Sequence, residues 1–417
     1  MVVGAGFAGL RAVQKLANAS AEVLLIDRHN YHTFIPLLYQ VATGFIEPEL
    51  IAYPLRTALR QIDNANFLLA EVKEVDFDNR TVITNTRTIP YDYLVIATGS
   101  QANFLHVSGA PKHSFPLRTL EDAVTLRNQI ISCLEQAVKE GGNFSLQEQL
   151  LTFVIVGGGP TGVEMAGALQ ELIHDCLVKD YPQLDLDRVR IILIQSGSSL
   201  LKTYPQRLQT YTIRQLRDRG IKIHFNSRVQ TVTPSQVVLD DDTTIKTTTV
   251  IWTAGVEANL PEPQAEIPTA RKNKVDVATT LQLPNYPQVY AVGDVAYVEQ
   301  DGEPLVGVAL EALQQGDAIA QNIKRQLKGK TPQTFDYFNK GRAAIIARNA
   351  GVAYLLGRIP LSGFLAWLLW LGIHVYYLPG LSNRFKILGA WFKDYLRRDR
   401  SIKQILKFNS PNSSEIN

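Results

Sequence analysis

The 417-residue, 46.4 kDa chain is poor in cysteine, in net charge and in charged residues generally. Its two cysteines, Cys133 and Cys176, exclude a disulfide framework, cysteine-rich zinc or iron–sulfur sites and CxxC redox chemistry. Any redox work must therefore use a bound cofactor. A net charge of +3 gives no support to nucleic acid as a partner. At 19% charged and 46% hydrophobic residues, the chain is neither intrinsically disordered nor a polytopic membrane protein. Glycines break up Met1–Leu10 and no apolar run of leader type follows, so no secretory signal is expected there. His29 and His32 lie close together but lack converging ligands, so no metal site is expected. The length suggests two or three domains rather than one core.

Glycine, by contrast, is placed with care. Gly4, Gly6 and Gly9 form GxGxxG after an apolar stub and before a helical pattern at Leu10, Val13, Leu16 and Ala17. A predicted strand Ala21–Ile26 follows and ends at Asp27. The first glycine makes the turn, the second admits a pyrophosphate and the third lets helix and strand pack. The helix N-terminus adds N–H donors, and Asp27 can accept from ribose hydroxyls. The pattern recurs 153 residues later: a predicted strand Leu151–Val156 precedes Gly157, Gly159 and Gly162, with a helix through Leu172. Two such units predict two dinucleotide sites; two structural glycine turns are the simpler alternative. Predicted strands Tyr93–Ala97, leading to Thr98 and Gly99, and Val289–Val292, leading to Gly293 and Asp294, end where a doubly wound sheet binds its ligand. The fold class expected is thus α/β with two Rossmann-like domains, the first interrupted by the second.

Further segments carry a family resemblance. His29–Gly44, Tyr290–Asp294, Gln314–Gly316, Tyr337–Gly341, Arg348–Ala350 and Ala366–Trp370 with His374 resemble the corresponding motifs of type II NADH dehydrogenases, the non-proton-pumping NAD(P)H:quinone oxidoreductases. The likeness covers nearly the whole chain. It implies FAD in the first site, contacted by Gly4, Gly6, Gly9, Asp27, Thr98, Gly99, Gly293 and Asp294, with the turn from Pro36 to Tyr39 beside the flavin. It implies NADH or NADPH at Gly157, Gly159 and Gly162, and Glu164 where nicotinamide and flavin meet. The domains implied are residues 1–115 and 275–334 for FAD, 116–274 for NAD(P)H, and 335–417 for membrane attachment. Disulfide reductases and sulfide:quinone reductases of similar fold need flavin-side cysteines, and Cys133 and Cys176 lie 43 apart outside those segments.

Three positions depart from the family pattern. Gln195, ending the predicted strand Ile191–Ile194, replaces the acid that would bind a ribose 2′-hydroxyl, which predicts that NADPH is accepted, helped by Lys202 or Arg207. Leu310 replaces the first glutamine of the quinone-site helix, while Gln314, four residues on and on the same face, is retained; this favours a naphthoquinone or plastoquinone-type ring. The third departure, Ala168, carries no inference. With Lys340 and Gly341, Leu310 and Gln314 are the expected quinone lining. A slow-turnover, nucleotide-sensing flavoprotein is the reading from a different class.

The C-terminal part is apolar over Leu361–Leu381 except for Ser362 and His374, then amphipathic, with Phe385, Leu388, Phe392, Tyr395, Ile402 and Leu406 on a three-to-four spacing. Lys386, Lys393, Arg397, Arg400 and Lys407 are expected on the other arc. Eight basic and two acidic residues between Arg384 and Lys407 give that stretch +6. This predicts a monotopic protein held in plane on an anionic membrane, at its cytoplasmic face. At about 1 kcal/mol per basic residue, the attraction would reach roughly 6 kcal/mol before screening. A homodimer through the same region is a further expectation. His374 is expected to pack rather than to donate a proton.

Overall fold

The computed structural model describes residues 1–263, 269–397, 400 and 404–405. Two sheets organise it. The first has the order Gln282–Leu283, Tyr286–Ala291, Leu94–Ile96, Val2–Val3, Val23–Asp27, Ala65–Leu69. Its strands from Tyr286–Ala291 onward run parallel. The second is parallel throughout, in the order Phe115–Pro116, Thr249–Trp252, Thr152–Val156, Arg190–Gln195, Lys222–Phe225. The first sheet thus leaves the chain after Leu94–Ile96 and resumes at Gln282, with the whole second sheet lying between in sequence. The expected α/β class with an interrupted first nucleotide unit is what the molecule adopts.

The helices that matter for the site are α1 (Phe7–Lys15), α2 (Leu38–Ala42), α3 (Leu120–Lys139), α4 (Pro160–Glu171), α5 (Ala309–Gln326), α6 (Phe364–Tyr377) and α7 (Leu381–Arg397). Each glycine unit is strand, turn, helix: Val2–Val3 leads to α1 and Thr152–Val156 to α4. The strand Thr152–Val156 is buried at all five positions, as its unbroken apolar run requires. Sequence placed the ends of the other strands within two residues, except that the strand expected from Val289 begins three residues earlier, at Tyr286. The helix expected to run through Leu172 ends at Glu171 and continues as a single π-helical turn, Leu172–Leu177. Helix α3 opens with a capping box, in which the Thr119 side chain accepts from Asp122 N–H and Asp122 accepts from Thr119 N–H.

The C-terminal region is a three-stranded antiparallel sheet, Gly341–Ala347, Ala350–Leu355 and Ile359–Gly363, followed by α6 and α7. The apolar run Leu361–Leu381 is therefore not one element: it is a strand end, the 14-residue α6, and a turn at Pro379–Gly380. Among the described residues no helix is long and apolar enough to cross a membrane. The strand Gly341–Ala347 lies directly on α4. A Cβ added to Gly167 would stand 1.6 Å from the Ile346 carbonyl oxygen, so only glycine permits this approach.

Arg400 corrects the expected basic arc. It is 2% exposed and faces the protein, not a lipid surface. Its guanidinium donates to Glu171 Oε2, Asp394 Oδ1 and the carbonyls of Thr43 and Ala168, and lies 4.6 Å over the Phe45 ring. Arg348 pairs with Asp394 at 3.0 Å. Desolvation would forbid a lone cation here, so two acids and two carbonyls surround it. Ile402, Leu406 and Lys407 lie outside the described residues.

Candidate cofactor cradles and electron-transfer site

The two glycine units have matching geometry. Gly4 and Gly157 adopt φ +99° and +113°, values that only glycine holds without strain. A Cβ on Gly9 would lie 1.9 Å from the Gly4 carbonyl oxygen, and one on Gly162 1.9 Å from that of Gly157. A Cβ on Gly6 or Gly159 would meet nothing within 4 Å: these two face open space at the N-termini of α1 and α4. Each unit thus presents a bare helix N-terminus over a space that a pyrophosphate fits.

In the first cradle, Asp27 ends its strand and accepts from the Ala5 N–H (2.6 Å, Oδ2) and the His29 N–H (2.8 Å, Oδ1). The carboxylate is thereby fixed, with lone pairs left for ribose hydroxyls. Thr98 and Gly99 follow the neighbouring strand, and the Thr98 hydroxyl is buried without a protein partner. Across the sheet edge Asp294 accepts from Ser100 Oγ (2.7 Å) and Arg118 Nη2 (3.3 Å). Gly293 N–H donates to Gln315 Oε1 at 2.6 Å. Arg118 was not singled out from sequence, and Gln315 only as a member of the Gln314–Gly316 segment, with no role given to it. Neither stands in a glycine motif; only their places, just before the α3 cap and one residue past Gln314, hint at them. An orphaned hydroxyl, a fixed carboxylate and an open glycine turn suit FAD.

In the second cradle, Gln195 ends its strand and takes the Gly158 N–H on Oε1 at 2.8 Å. Its amide NH2 lies 3.2 Å from where a Gly197 Cβ would be, on the loop that follows. Glu164, at the fifth position of α4, is 8% exposed. Its Oε1 accepts from Trp370 Nε1–H (3.2 Å) and Ile345 N–H (3.4 Å). Burial outweighs both donors and pushes its carboxyl up to about 8, so it keeps a proton at neutral pH.

Pro36 sits in a short 3₁₀ turn, Ile35–Leu37, leading into α2. His32, buried, donates through Nδ1–H to the Ala5 carbonyl (2.8 Å) and packs edge-on to Phe7. His374 stacks on Trp370 with ring centres 3.7 Å apart, and burial lowers its pKa to about 4. It packs, neutral, as expected. Both cysteines are buried, with thiols pushed up by burial.

Leu310, Gln314 and Lys340 meet in one cavity of about 510 Å³ between α1, α5 and the end of α6, lined also by Phe7, His32, Tyr376 and Tyr377, whereas Gly341 does not line it. Gln314, however, is not a free donor. Its Nε2 donates to the Phe338 carbonyl and its Oε1 accepts the Phe338 N–H, each at 3.0 Å. The amide holds the 338–341 turn in place and so shapes the cavity wall. Lys340 stands exposed at the rim.

Residues 1–316 match the family described as pyridine nucleotide-disulphide oxidoreductase. The chain is 35% identical over 416 residues to the type II NADH:quinone oxidoreductase Ndh of Mycobacterium tuberculosis (strain ATCC 25618 / H37Rv), covering 96% of this chain and 88% of that one. It is 28% identical over 373 residues to the type II NADH:quinone oxidoreductase of Staphylococcus aureus (strain NCTC 8325 / PS 47), covering 87% and 90%. Its fold superposes on NDH2 from Plasmodium falciparum in complex with NADH with a TM-score of 0.88, 19% identity, and coverage of 97% and 99%. With twin glycine cradles and a buried acid beside the second, this chain belongs to the pyridine nucleotide-disulphide oxidoreductases and, within them, to the type II NADH:quinone oxidoreductases.

Proposed function

We propose the following reading of the site. The chain is an FAD-dependent enzyme that oxidises NADH and reduces a quinone without pumping protons; the balanced reaction is NADH + H⁺ + quinone → NAD⁺ + quinol. Bound FAD supplies the two-electron relay, and the protein supplies orientation and electrostatics. Gly4, Gly6, Gly9, Asp27, Thr98, Gly99, Gly293 and Asp294 hold FAD, with the Pro36–Tyr39 turn beside its ring. Gly157, Gly159, Gly162 and Gln195 hold the nicotinamide nucleotide. Glu164 marks the junction: its carboxyl is protonated at neutral pH and can hold a proton there.

The observation that supports the quinone reading most is the cavity shared by the first cradle and the C-terminal helices. Leu310, Gln314 and Lys340 line it from the protein side, Tyr376 and Tyr377 from α6. The outer face of α6 and α7 is apolar and exposed: Leu365, Leu381, Phe385, Phe392 and Leu396 are each at least 64% exposed. Lys386, Lys393 and Arg397 are exposed on α7 as well. Such a face suits in-plane attachment to anionic lipid, from which an apolar acceptor would reach the cavity. We place the membrane at the cytoplasmic side. A homodimer through this face is the competing occupant, and the oligomeric state in detergent distinguishes the two.

The test is steady-state NADH oxidation by the full chain with and without a panel of quinones. Stimulation well above the oxygen-only rate is expected; failure of every quinone to exceed that rate would favour a slow nucleotide-sensing flavoprotein. NADPH is accepted alongside NADH, because a neutral amide at Gln195 lacks the repulsion that a carboxylate exerts on a 2′-phosphate. A hundredfold preference for NADH in kcat/KM would refute that part. Leu310 makes the cavity more apolar and favours a naphthoquinone or plastoquinone-type ring, which the same panel ranks.

A further inference from the structure

The C-terminal helix has two faces. One is the exposed apolar face described above. The other buries Ile387, Trp391 and Asp394 against the body. Trp391 is the residue through which that buried face reaches the cofactor side of the molecule. Its Nε1–H donates to Gln40 Oε1 at 2.8 Å, with both side chains buried. Gln40 Nε2 in turn donates to the Tyr39 hydroxyl at 3.1 Å. The Tyr39 ring packs edge-on against Trp370 at 6.3 Å, and Trp370 is the indole that donates to Glu164. Trp391 and Trp370 stand 5.9 Å apart. Thus two indoles bracket Tyr39 and Gln40: one donates to Gln40, next to the Pro36–Tyr39 turn, and the other to Glu164.

The fixing is mutual. Gln40 has a carbonyl acceptor and an amide donor, each with a single partner in this chain of bonds, so its orientation is set by Trp391. Were the indole N–H removed, a buried amide oxygen would lose its donor, which is costly enough for the side chain to turn over. That would swap which end faces the Tyr39 hydroxyl. The carbonyl of Thr43, at the far end of α2, is held independently by Arg400. The segment that follows Tyr39 is therefore held at two points, Gln40 by Trp391 of α7 and Thr43 by Arg400 beyond it.

We propose that Trp391 is a positioning residue for the reaction: through Gln40 and Tyr39 it sets the flavin-side turn relative to Trp370 and Glu164, and thereby the approach of nicotinamide to flavin. The inference rests on the reading that the Pro36–Tyr39 turn lies beside the flavin and Glu164 at the nicotinamide junction.

The experiment uses the FAD-loaded full chain and measures flavin reduction by NADH in single-turnover stopped flow, normalised to bound FAD. Trp391→Phe keeps the ring and deletes the donor; Gln40→Met keeps the length and deletes the acceptor. Each is expected to slow flavin reduction about tenfold, the size of effect that a small misplacement of reacting groups produces. FAD content stays as in the parent. The double variant is expected to be no slower than either single one, because both break the same link. Trp391→His, which retains an N–H donor, should recover part of the rate. An unchanged rate in Trp391→Phe, or losses that multiply in the double variant, would overturn the inference. A parent protein whose flavin is not bleached by NADH would instead overturn the functional reading on which it rests, so the two failures are distinct.

Discussion

The two glycine cradles are near copies in backbone and differ at one side chain. Each has a left-handed first glycine, an open second glycine and a third glycine pressed against the carbonyl of the first. Each strand that follows ends in a side chain whose oxygen takes the N–H of the residue after the first glycine: Asp27 for Ala5, Gln195 for Gly158. The turn needs an acceptor at that place, and both a carboxylate and an amide supply one. What differs is what remains for the ligand. Asp27 keeps a full negative charge and acceptors only. Gln195, having used Oε1 on the turn, has its NH2 donors left. The scaffold therefore repeats the backbone turn, and the proposed difference in nucleotide tolerance rests on the group that ends the second strand.

The largest effect should come from breaking either copy at its tightest point. Gly9→Val and Gly162→Val each drive a side chain into a carbonyl 1.9 Å away. Overpacking of this kind costs on the order of 3 kcal/mol, or about a hundredfold in binding. Gly9→Val should yield protein without flavin absorbance. Gly162→Val should keep the yellow colour but lose NADH turnover. If both variants lost flavin alike, the assignment of the two cradles would fail.

Next in size is a swap that makes the second cradle resemble the first. Gln195→Asp should shift the NADH-to-NADPH ratio of kcat/KM toward NADH by about tenfold or more through repulsion of the 2′-phosphate. Its counterpart, Asp27→Asn, should weaken FAD retention by a few-fold. The amide keeps one acceptor but turns donors toward a backbone N–H, and the charge-assisted share, about 1 kcal/mol, is lost. Equilibrium dialysis against free FAD reads this out.

The smallest expected effect separates the cradles by pH. Only the second helix carries a buried acid in this position. The Glu164 carboxyl is raised from an ordinary value near 4.5 to about 8 by burial. The folded state thus holds a proton that the unfolded chain releases above about pH 4.5. The associated stability is complete below that pH and is lost as pH rises through 8. Glu164→Gln cannot lose it. The Tm of the variant relative to the parent should rise by several degrees from pH 5 to pH 9; a difference independent of pH would refute the buried protonated acid.

The architecture was legible because its determinants are local. Matched glycine spacing, apolar strands and terminal polar residues are all read within some 30 residues of one another. The residues that join the parts were not legible in the same way. Arg400 falls on a basic helical arc if periodicity is extended past Arg397, yet it meets Glu171, Asp394 and the Thr43 carbonyl, partners that no spacing rule links to it. Gln314 lines the cavity, but its amide is taken up by the Phe338 backbone, which only the fold reveals. The apolar stretch Leu361–Leu381 has the length of a span, and only the fold shows it divided between a strand and a helix. Arg118 and Gln315 serve Asp294 and Gly293 from distant elements; no motif announced Arg118, and the Gln314–Gly316 segment gave no role to Gln315.

The ion knot of Arg348, Asp394, Arg400 and Glu171 has a consequence for how the molecule is made. It draws on a helix of the second cradle, the turn between the first two strands of the C-terminal sheet, α7 and Arg400 just past it, so a growing chain cannot close it until residue 400 has left the ribosome. Until then Glu171 and Asp394 lack the Arg400 guanidinium that joins them. Ribosome-stalled chains ending before and after residue 400 should therefore differ in resistance to protease.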